Sequence, residues 1–414
     1  MGSLERAELL INQGKIDLAV DQLNSVLLEQ PENEWALTYL ALCKLRLEEP
    51  EDAITMAKAA LASNPEVDFA LYIIAAAHLS LENYNKAQHV IERAIGSNPN
   101  EADYYGLSAQ LKLISKDFKE AILLAEKGLS LNPENMFCRN MLSTAQLKSG
   151  DKEASFQTIN RALEIDPENP LSHANYGWAE LEKGSHKKAL DHFKEALKYN
   201  PQDRYARSGM LETLKAKYIL YRLFLKYYFF MANLKPGVQW GIIIGIVVIN
   251  NVIDSGVEYL GEYGFLLQYV SYVLIFLMVS TWVMEPLFNF FMRINTYSRY
   301  LLTSKESKTA LLVGVCFTVF SVALVAWIFT QSDGYLAGML VGFSLMLPVG
   351  RIDTAKKVWV NRLVILYSLV TTLVGVLFIY ASFEYGIENN VLLIYIGLTV
   401  VFSWLWNIVA SANK

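Results

Sequence analysis

Few side chains in this sequence have the types and spacing that chemistry needs. Five histidines, His78, His89, His173, His186 and His192, fall in the first half, and none is paired at the HExxH spacing of a zinc site. Cys43, Cys138 and Cys316 are far apart and read as small buried hydrophobes, which suits a reducing compartment. No glycine-rich phosphate loop follows a strand. One carboxylate stands out: Glu285, beside Pro286, at the end of a long apolar stretch. Burying such a group costs several kcal/mol unless it is paired. Its expected partners are Arg293 and Arg299, and a solvated carboxylate is the alternative. Asn250, Asn251, Asn289 and Asn407 can hydrogen-bond between helices but form no catalytic set. These residues imply no catalytic centre, no metal and no cofactor, so an enzyme is disfavoured.

What positions these groups is a chain of two unlike halves. Residues 1–236 carry 27 Lys/Arg and 32 Asp/Glu, whereas residues 237–414 carry nine of each and are dominated by Leu, Val, Ile, Phe and Gly. That shift predicts a soluble domain followed by a membrane domain. A formal charge of −5 gives no basic surplus, which excludes a nucleic-acid partner of the usual kind. The N-terminal MGSLERAELLINQGK has no apolar core of a signal peptide, and Arg6 stands where a myristoylation motif wants Ser or Thr.

The first half repeats. Prolines fall at 31, 65, 99, 133, 167 and 201, each 34 residues after the last. Small residues keep the same step: Ala7, Ala41, Ala75, Ala109, Ser143 and Gly177, and again Ala19, Ala53, Ala87, Ala121, Ser155 and Ala189. Leu45, Leu79, Leu113, Leu147 and Leu181 form a third series. Each unit therefore reads as two amphipathic helices ended by Asn-Pro or Asp-Pro, and neither buries its apolar face without neighbours.

These residues resemble the tetratricopeptide-repeat family, with PLSHANYGWAELEKGSHKKALDHFKEALKYNP as the best-matching unit. The resemblance covers residues 1–203 in six units, with a capping helix from Tyr205 to Leu214. It implies an all-α solenoid whose groove binds a peptide or helix of a partner protein, and it implies no chemistry. By that analogy Trp35, Tyr39, Phe69, Tyr72, Phe137 and Trp178 face the groove, while packing between units is their alternative. Leu4 and Glu8 stand where a carboxylate clamp would begin.

Six apolar stretches follow, at 237–253, 265–284, 309–330, 334–350, 363–382 and 391–410, predicting a six-helix transmembrane domain. Asp254, Glu258 and Glu262 follow the first, and Glu384 and Glu388 the fifth. Arg293, Arg299, Lys305 and Lys308 follow the second; Arg351, Lys356, Lys357 and Arg362 follow the fourth; Lys414 ends the chain. All nine cations thus fall on one side, and the positive-inside rule puts that side, both termini and the repeats in the cytoplasm.

Between the halves, residues 204–236 read as a capping helix continuous with a basic amphipathic one. Lys215, Arg222 and Lys226 share a helix face with Tyr218, which predicts contact with anionic lipid heads; burial against the membrane helices is the alternative. Gly237, Gly241 and Gly245, and likewise Gly334, Gly338 and Gly342, recur every four residues, predicting close helix packing and hinting at an inverted repeat. The whole, including TWVMEPLFNFFMR, resembles bacterial tetratricopeptide-repeat proteins with a C-terminal multi-pass membrane domain. That resemblance implies a bacterial inner-membrane adaptor with a protein partner and membrane lipids, and leaves a homo-oligomer open. A transporter or channel regulated by the repeats, or an enzyme of lipid-linked substrates, is the alternative.

Overall fold

The computed structural model describes residues 2–260, 264–295, 298–355 and 357–412, with their side chains except at 236, 240, 254–260, 264–268, 272, 275–282, 403–405 and 407–412. Asp254, Glu258, Glu262, Lys356, Asn407 and Lys414 of the sequence patterns lie outside the described side chains. Among the described residues all regular structure is helical, and the chain forms two units, 1–183 with 191–206 and 184–190 with 207–414.

The first unit is a solenoid of helix pairs: α1 (Ser3–Asn12) with α2 (Ile16–Glu29), α3 (Glu34–Arg46) with α4 (Pro50–Ser63), α5 (Asp68–Ser80) with α6 (Tyr84–Ser97), α7 (Ala102–Ile114) with α8 (Phe118–Leu131), α9 (Met136–Ser149) with α10 (Lys152–Ile165), and α11 (Pro170–Lys183) with α12 (His186–Tyr199). Odd-numbered helices pack on the next odd-numbered helix, whereas even-numbered ones meet the next repeat through its first helix. The odd-numbered helices are therefore the inner layer.

Three local devices recur with the repeat. The turn inside each pair places one residue in the left-handed region: Gly14, Glu48, Glu82, Lys116, Gly150 and Gly184. After the second helix an Asx turn closes, in which the side chain of Asn64, Asn98, Asn132, Asp166 or Asn200 accepts from the backbone N–H two residues on, at 3.0–3.3 Å. Proline fits between them because its missing N–H is not needed there. Both series of small residues are fully buried where the two helices of a pair approach. In the fifth repeat, where both are serine, Ser155 Oγ donates to the Ser143 carbonyl at 2.8 Å, so neither the hydroxyl nor that carbonyl is left unpaired.

In the second unit the elements are α13 (Arg204–Lys215, most of it), α14 (Ile219–Asn233), α15 (Pro236–Leu260), α16 (Gly264–Ile294), α17 (Ser304–Thr330), α18 (Asp333–Ser344), α19 (Met346–Val349), α20 (Val358–Tyr385) and α21 (Asn390–Ala412). Each expected apolar stretch falls on a helix, the fourth on the broken pair α18–α19. Among the described residues two helices, α17 and α20, are long and apolar enough to cross a membrane. With 27 and 28 residues they measure about 40 Å at 1.5 Å per residue, against a hydrocarbon core of about 30 Å. Gly237–Ile253, Asp333–Val349 and Asn390–Phe402 are shorter apolar helices.

The packing of α17 and α20 is inverted relative to a water-soluble helix. Leu311, Val315, Val319, Val322, Val325 and Phe329 form an exposed apolar stripe along α17, and Leu363, Leu366, Val370, Leu373, Leu377 and Tyr380 another along α20. On the buried side of α20 stand Ser368, Thr371 and Ser382, each hydroxyl donating to the carbonyl four residues earlier. The core they help to enclose holds Val313, Val341, Met346 and Phe378, with Tyr395 stacked on Phe378 at 5.6 Å.

The two glycine rows differ. A Cβ at Gly342 would stand 2.5 Å from the Phe320 nitrogen, one at Gly338 3.2 Å from the Ala323 methyl, and one at Gly334 would enter the Phe383 ring. That row is a helix-packing seam. Among the described residues, Gly237, Gly241 and Gly245 have no atom within 4 Å of such a Cβ. For these three the described side chains give no packing partner, so spacing sets which face they share but not what covers it.

Candidate functional site

The six aromatic residues expected at the groove stand on four inner helices, and the structure divides them. Trp35 and Tyr39 of α3 lie 6.3 Å apart, with Trp35 exposed and Tyr39 half-buried. Phe69 and Tyr72 of α5 stack at 5.8 Å, and Tyr72 continues onto Tyr104 of α7 at 5.4 Å. Tyr104 is buried and donates to Asp68 Oδ2 at 2.8 Å, which fixes the end of the stack. Burial pushes the Tyr72 and Tyr104 hydroxyls well up from the usual phenol value, so both remain neutral donors. For Tyr39 burial raises it as well, followed by the neighbouring Glu8 carboxylate.

Phe137 and Trp178 are committed elsewhere. Phe137 packs against the cores of two adjoining repeats and lies over Gly106, where a Cβ would come within 2.6 Å of its ring. Trp178 meets Phe193 edge-on at 5.6 Å and Tyr205 at the same separation. Of the six, Trp35 on α3 is exposed and the other five are half-buried. Sequence reasoning missed the polar seam between the fifth and sixth repeats. There Asn140 Oδ1 accepts from Asn175 Nδ2 and Ser172 Oγ, both at 3.1 Å and all buried.

The segment after the solenoid corrects the sequence reading at Lys215. Helices α13 and α14 are separate, with residues 216–218 between them. Lys215 is only 1 % exposed; its ammonium donates to Glu212 Oε1 at 2.8 Å and stands over the Tyr221 ring at 5.6 Å. The Tyr221 hydroxyl donates to the other oxygen of Glu212, and burial raises its pKa well above the usual value, with Glu212 adding to the effect. Lys215 is thus a buried counter-ion and not a lipid contact, because an acid one helical turn earlier captures it. Arg222 is half-buried, its Nε enclosed without a hydrogen-bond partner among the described residues, while Lys226 is exposed. Along α14, Tyr221, Phe224 and Leu225 are buried, with Tyr221 4.5 Å from Phe288 of α16; Ile219, Leu220, Leu223 and Phe230 are exposed beside Lys226.

Glu285 has a different neighbourhood from the one expected. Arg293 donates to the Ser307 carbonyl at 2.9 Å, and Arg299 to the Tyr300 hydroxyl at 2.6 Å. The cation whose charge Glu285 meets is Arg351, from the turn after α19. Burial lowers the Arg351 pKa from the usual guanidinium value, and Glu285 and then Tyr228 hold it up. Glu285 and Arg351 line one cavity of about 280 Å³ together with Asn289, Lys305, Glu306 and Asp353. No pattern local in sequence joins residues 285 and 351, which is why the site was not legible as a site. Among the described residues no group of three His, Cys, Asp or Glu side chains is placed to hold a metal.

Comparison with known proteins bears on the first half. Residues 44–111, and residues 4–68 and 140–206, match tetratricopeptide-repeat sequence profiles. The fold is similar to a tetratricopeptide-repeat protein from Parabacteroides merdae, at 18 % identity over 51 % of this chain and 83 % of that one, with a TM-score of 0.44. It is also similar to MamA from Desulfovibrio magneticus, at 21 % identity over 41 % and 97 % with a TM-score of 0.34, and to PilF from Pseudomonas aeruginosa, at 16 % over 50 % and 94 % with a TM-score of 0.40. No curated protein sequence matches the chain. Residues 4–111 and 140–206 thus carry tetratricopeptide repeats, which in general mediate protein–protein interactions.

Proposed function

We propose that the protein is a membrane-anchored adaptor of a bacterial inner membrane: the solenoid captures a peptide or helix of a cytoplasmic partner, and the second half anchors it in the bilayer. The observation that carries the anchoring is the pair of exposed apolar stripes on α17 and α20. Contiguous apolar surface of that length is not tolerated in water and is the normal lipid face of a spanning helix. Residues 237–253, 265–284, 334–350 and 391–410 complete six spans in this reading, and the nine cations of the second half place the basic turns and the solenoid in the cytoplasm. Lys226, Ile219, Leu220, Leu223 and Phe230 form the face of α14 that lies at the head-group level, with Arg222 at its edge.

Partner capture is assigned to the exposed Trp35, with the half-buried Tyr39, Phe69 and Tyr72 on the same inner layer, an aromatic surface that suits an apolar or amphipathic segment better than a charged one. The test is photo-crosslinking in native membranes with the full chain carrying a crosslinker beside Trp35. A defined adduct in the wild type that disappears in a Trp35→Ala/Tyr72→Ala variant supports the reading; an adduct indifferent to both substitutions contradicts it.

A further inference from the structure

The cavity around Glu285 and Arg351 has unused capacity of both charge signs. Glu285 and Asn289 are one helical turn apart on α16, so both side chains reach the same space. Asn289 is 92 % buried, and its Oδ1 has no hydrogen-bond partner among the described residues. A buried carbonyl oxygen left unmatched costs about 1–3 kcal/mol, so it is in search of a donor. Arg351 and Lys305 line the same cavity. Glu285 and Arg351 feel each other's charge, yet they form no ion pair at 4.0 Å or less. Two further acids line the cavity: Asp353, and Glu306, which already accepts from the Thr303 backbone N–H and hydroxyl as a helix cap.

A second feature adjoins the first. The Arg351 guanidinium stands over the Trp406 ring at 5.7 Å. Trp406 also lines an apolar groove of about 300 Å³ along α20 and α21, with Leu363, Leu366, Tyr367, Val370 and Phe402. The Arg351–Trp406 contact therefore joins a residue of the polar cavity to a residue of the apolar groove. One molecule with a charged head and a hydrocarbon tail fills both.

We propose that this site holds one phospholipid with a primary-amine head, its phosphate on Arg351 and Lys305, its ammonium on Glu285 and Asn289 Oδ1, and an acyl chain in the groove. A quaternary ammonium has no N–H to give Asn289 Oδ1, and an anionic head brings no cation to Glu285, which stands exposed at the cavity. The ends of α16 and α19 and the start of α17 supply the residues, which is the level of lipid heads if α17 spans the bilayer. The inference rests on that membrane reading.

The test uses the full chain in mild detergent, exchanged into micelles holding equal amounts of phosphatidylethanolamine, phosphatidylcholine and phosphatidylglycerol, with retained lipid read by native mass spectrometry. One phosphatidylethanolamine per chain is expected, with about tenfold preference over the others, equivalent to one charge-assisted hydrogen bond. Glu285→Gln and the exposed Lys305→Gln should each remove about tenfold of that retention without altering the circular dichroism. Equal retention of the three lipids, retention unchanged by both variants, or displacement by free phosphoethanolamine at comparable concentration overturns the proposal. A chain that stays monodisperse without detergent contradicts the membrane reading itself, a separate result.

Discussion

The Phe193 ring lies against the α-carbon of Gly177, so close that a Cβ there would stand 2.8 Å from the ring. The equivalents of Phe193 in the earlier repeats are Leu23, Ala57, Ile91, Ala125 and Ile159, all buried, and the equivalents of Gly177 are alanine or serine. The sixth repeat has traded volume between the two helices, a larger side chain facing a smaller one. Gly177→Ala should destabilise the solenoid by about 1 kcal/mol, since overpacking of about 1–3 kcal/mol exceeds the helix-propensity gain of about 1 kcal/mol. Adding Phe193→Leu should restore it. Chemical denaturation followed at the Trp178 fluorescence checks both.

Glu48 occupies the left-handed turn position that is glycine in the first, fifth and sixth repeats, at φ 63°. Its ion pair with Arg204 spans 3.4 Å between two exposed side chains and contributes little. Glu48→Gly should therefore stabilise the solenoid by about 0.5–1 kcal/mol, through relief of backbone strain. A rise in the midpoint of thermal unfolding is the expected result.

These two sites show what the sequence makes legible. The repeat length, the small-residue pairs and the Asx-Pro turns are local and periodic, so they can be read from spacing, and the left-handed positions are half-visible as Gly14, Gly150 and Gly184. What could not be read depends on partners distant in sequence or on which face is covered. Arg351 reaches Glu285 across 66 positions. The row from Gly237 and the row from Gly334 have the same spacing, yet among the described residues only the second has close neighbours. Phe137 and Trp178 carry the same chemistry as Trp35, but their neighbours Gly106 and Phe193 draw them into the packing.

His173 and His192 face each other through their Nδ1 atoms at 3.2 Å, with Tyr176 stacked on His192 at 3.9 Å. Burial, and then the His173 charge, lowers the His192 pKa below the usual 6.5, against the opposing pull of Glu180, Asp191 and Glu195. The unfolded chain thus binds the proton more readily than the folded one. The stabilisation is complete above pH 6.5 and is lost as pH falls from there toward the depressed folded value. Amide exchange across α11 and α12 should accelerate between pH 7 and pH 5 after correction for intrinsic rates, and His192→Gln should flatten that dependence.

Lys215 offers a test of its reassignment. Lys215→Ala leaves Glu212 and Tyr221 without their cation in a buried setting, a loss of about 3 kcal/mol for a buried pair cut at one end. Protease resistance of the detergent-solubilised chain should fall accordingly. Lys226→Ala, on an exposed side chain, should leave resistance unchanged.

Placement of the solenoid beside the basic turns of a spanning domain is the central claim, and single-cysteine labelling in sealed inner-membrane vesicles of known orientation tests it most directly. On a background with Cys43, Cys138 and Cys316 replaced, cysteines at Leu28 of the solenoid and at Lys357 should react with a membrane-impermeant maleimide from the cytoplasmic face alone. One at Glu388 should react from the opposite face alone. Labelling of Leu28 and Glu388 from the same face would contradict the account.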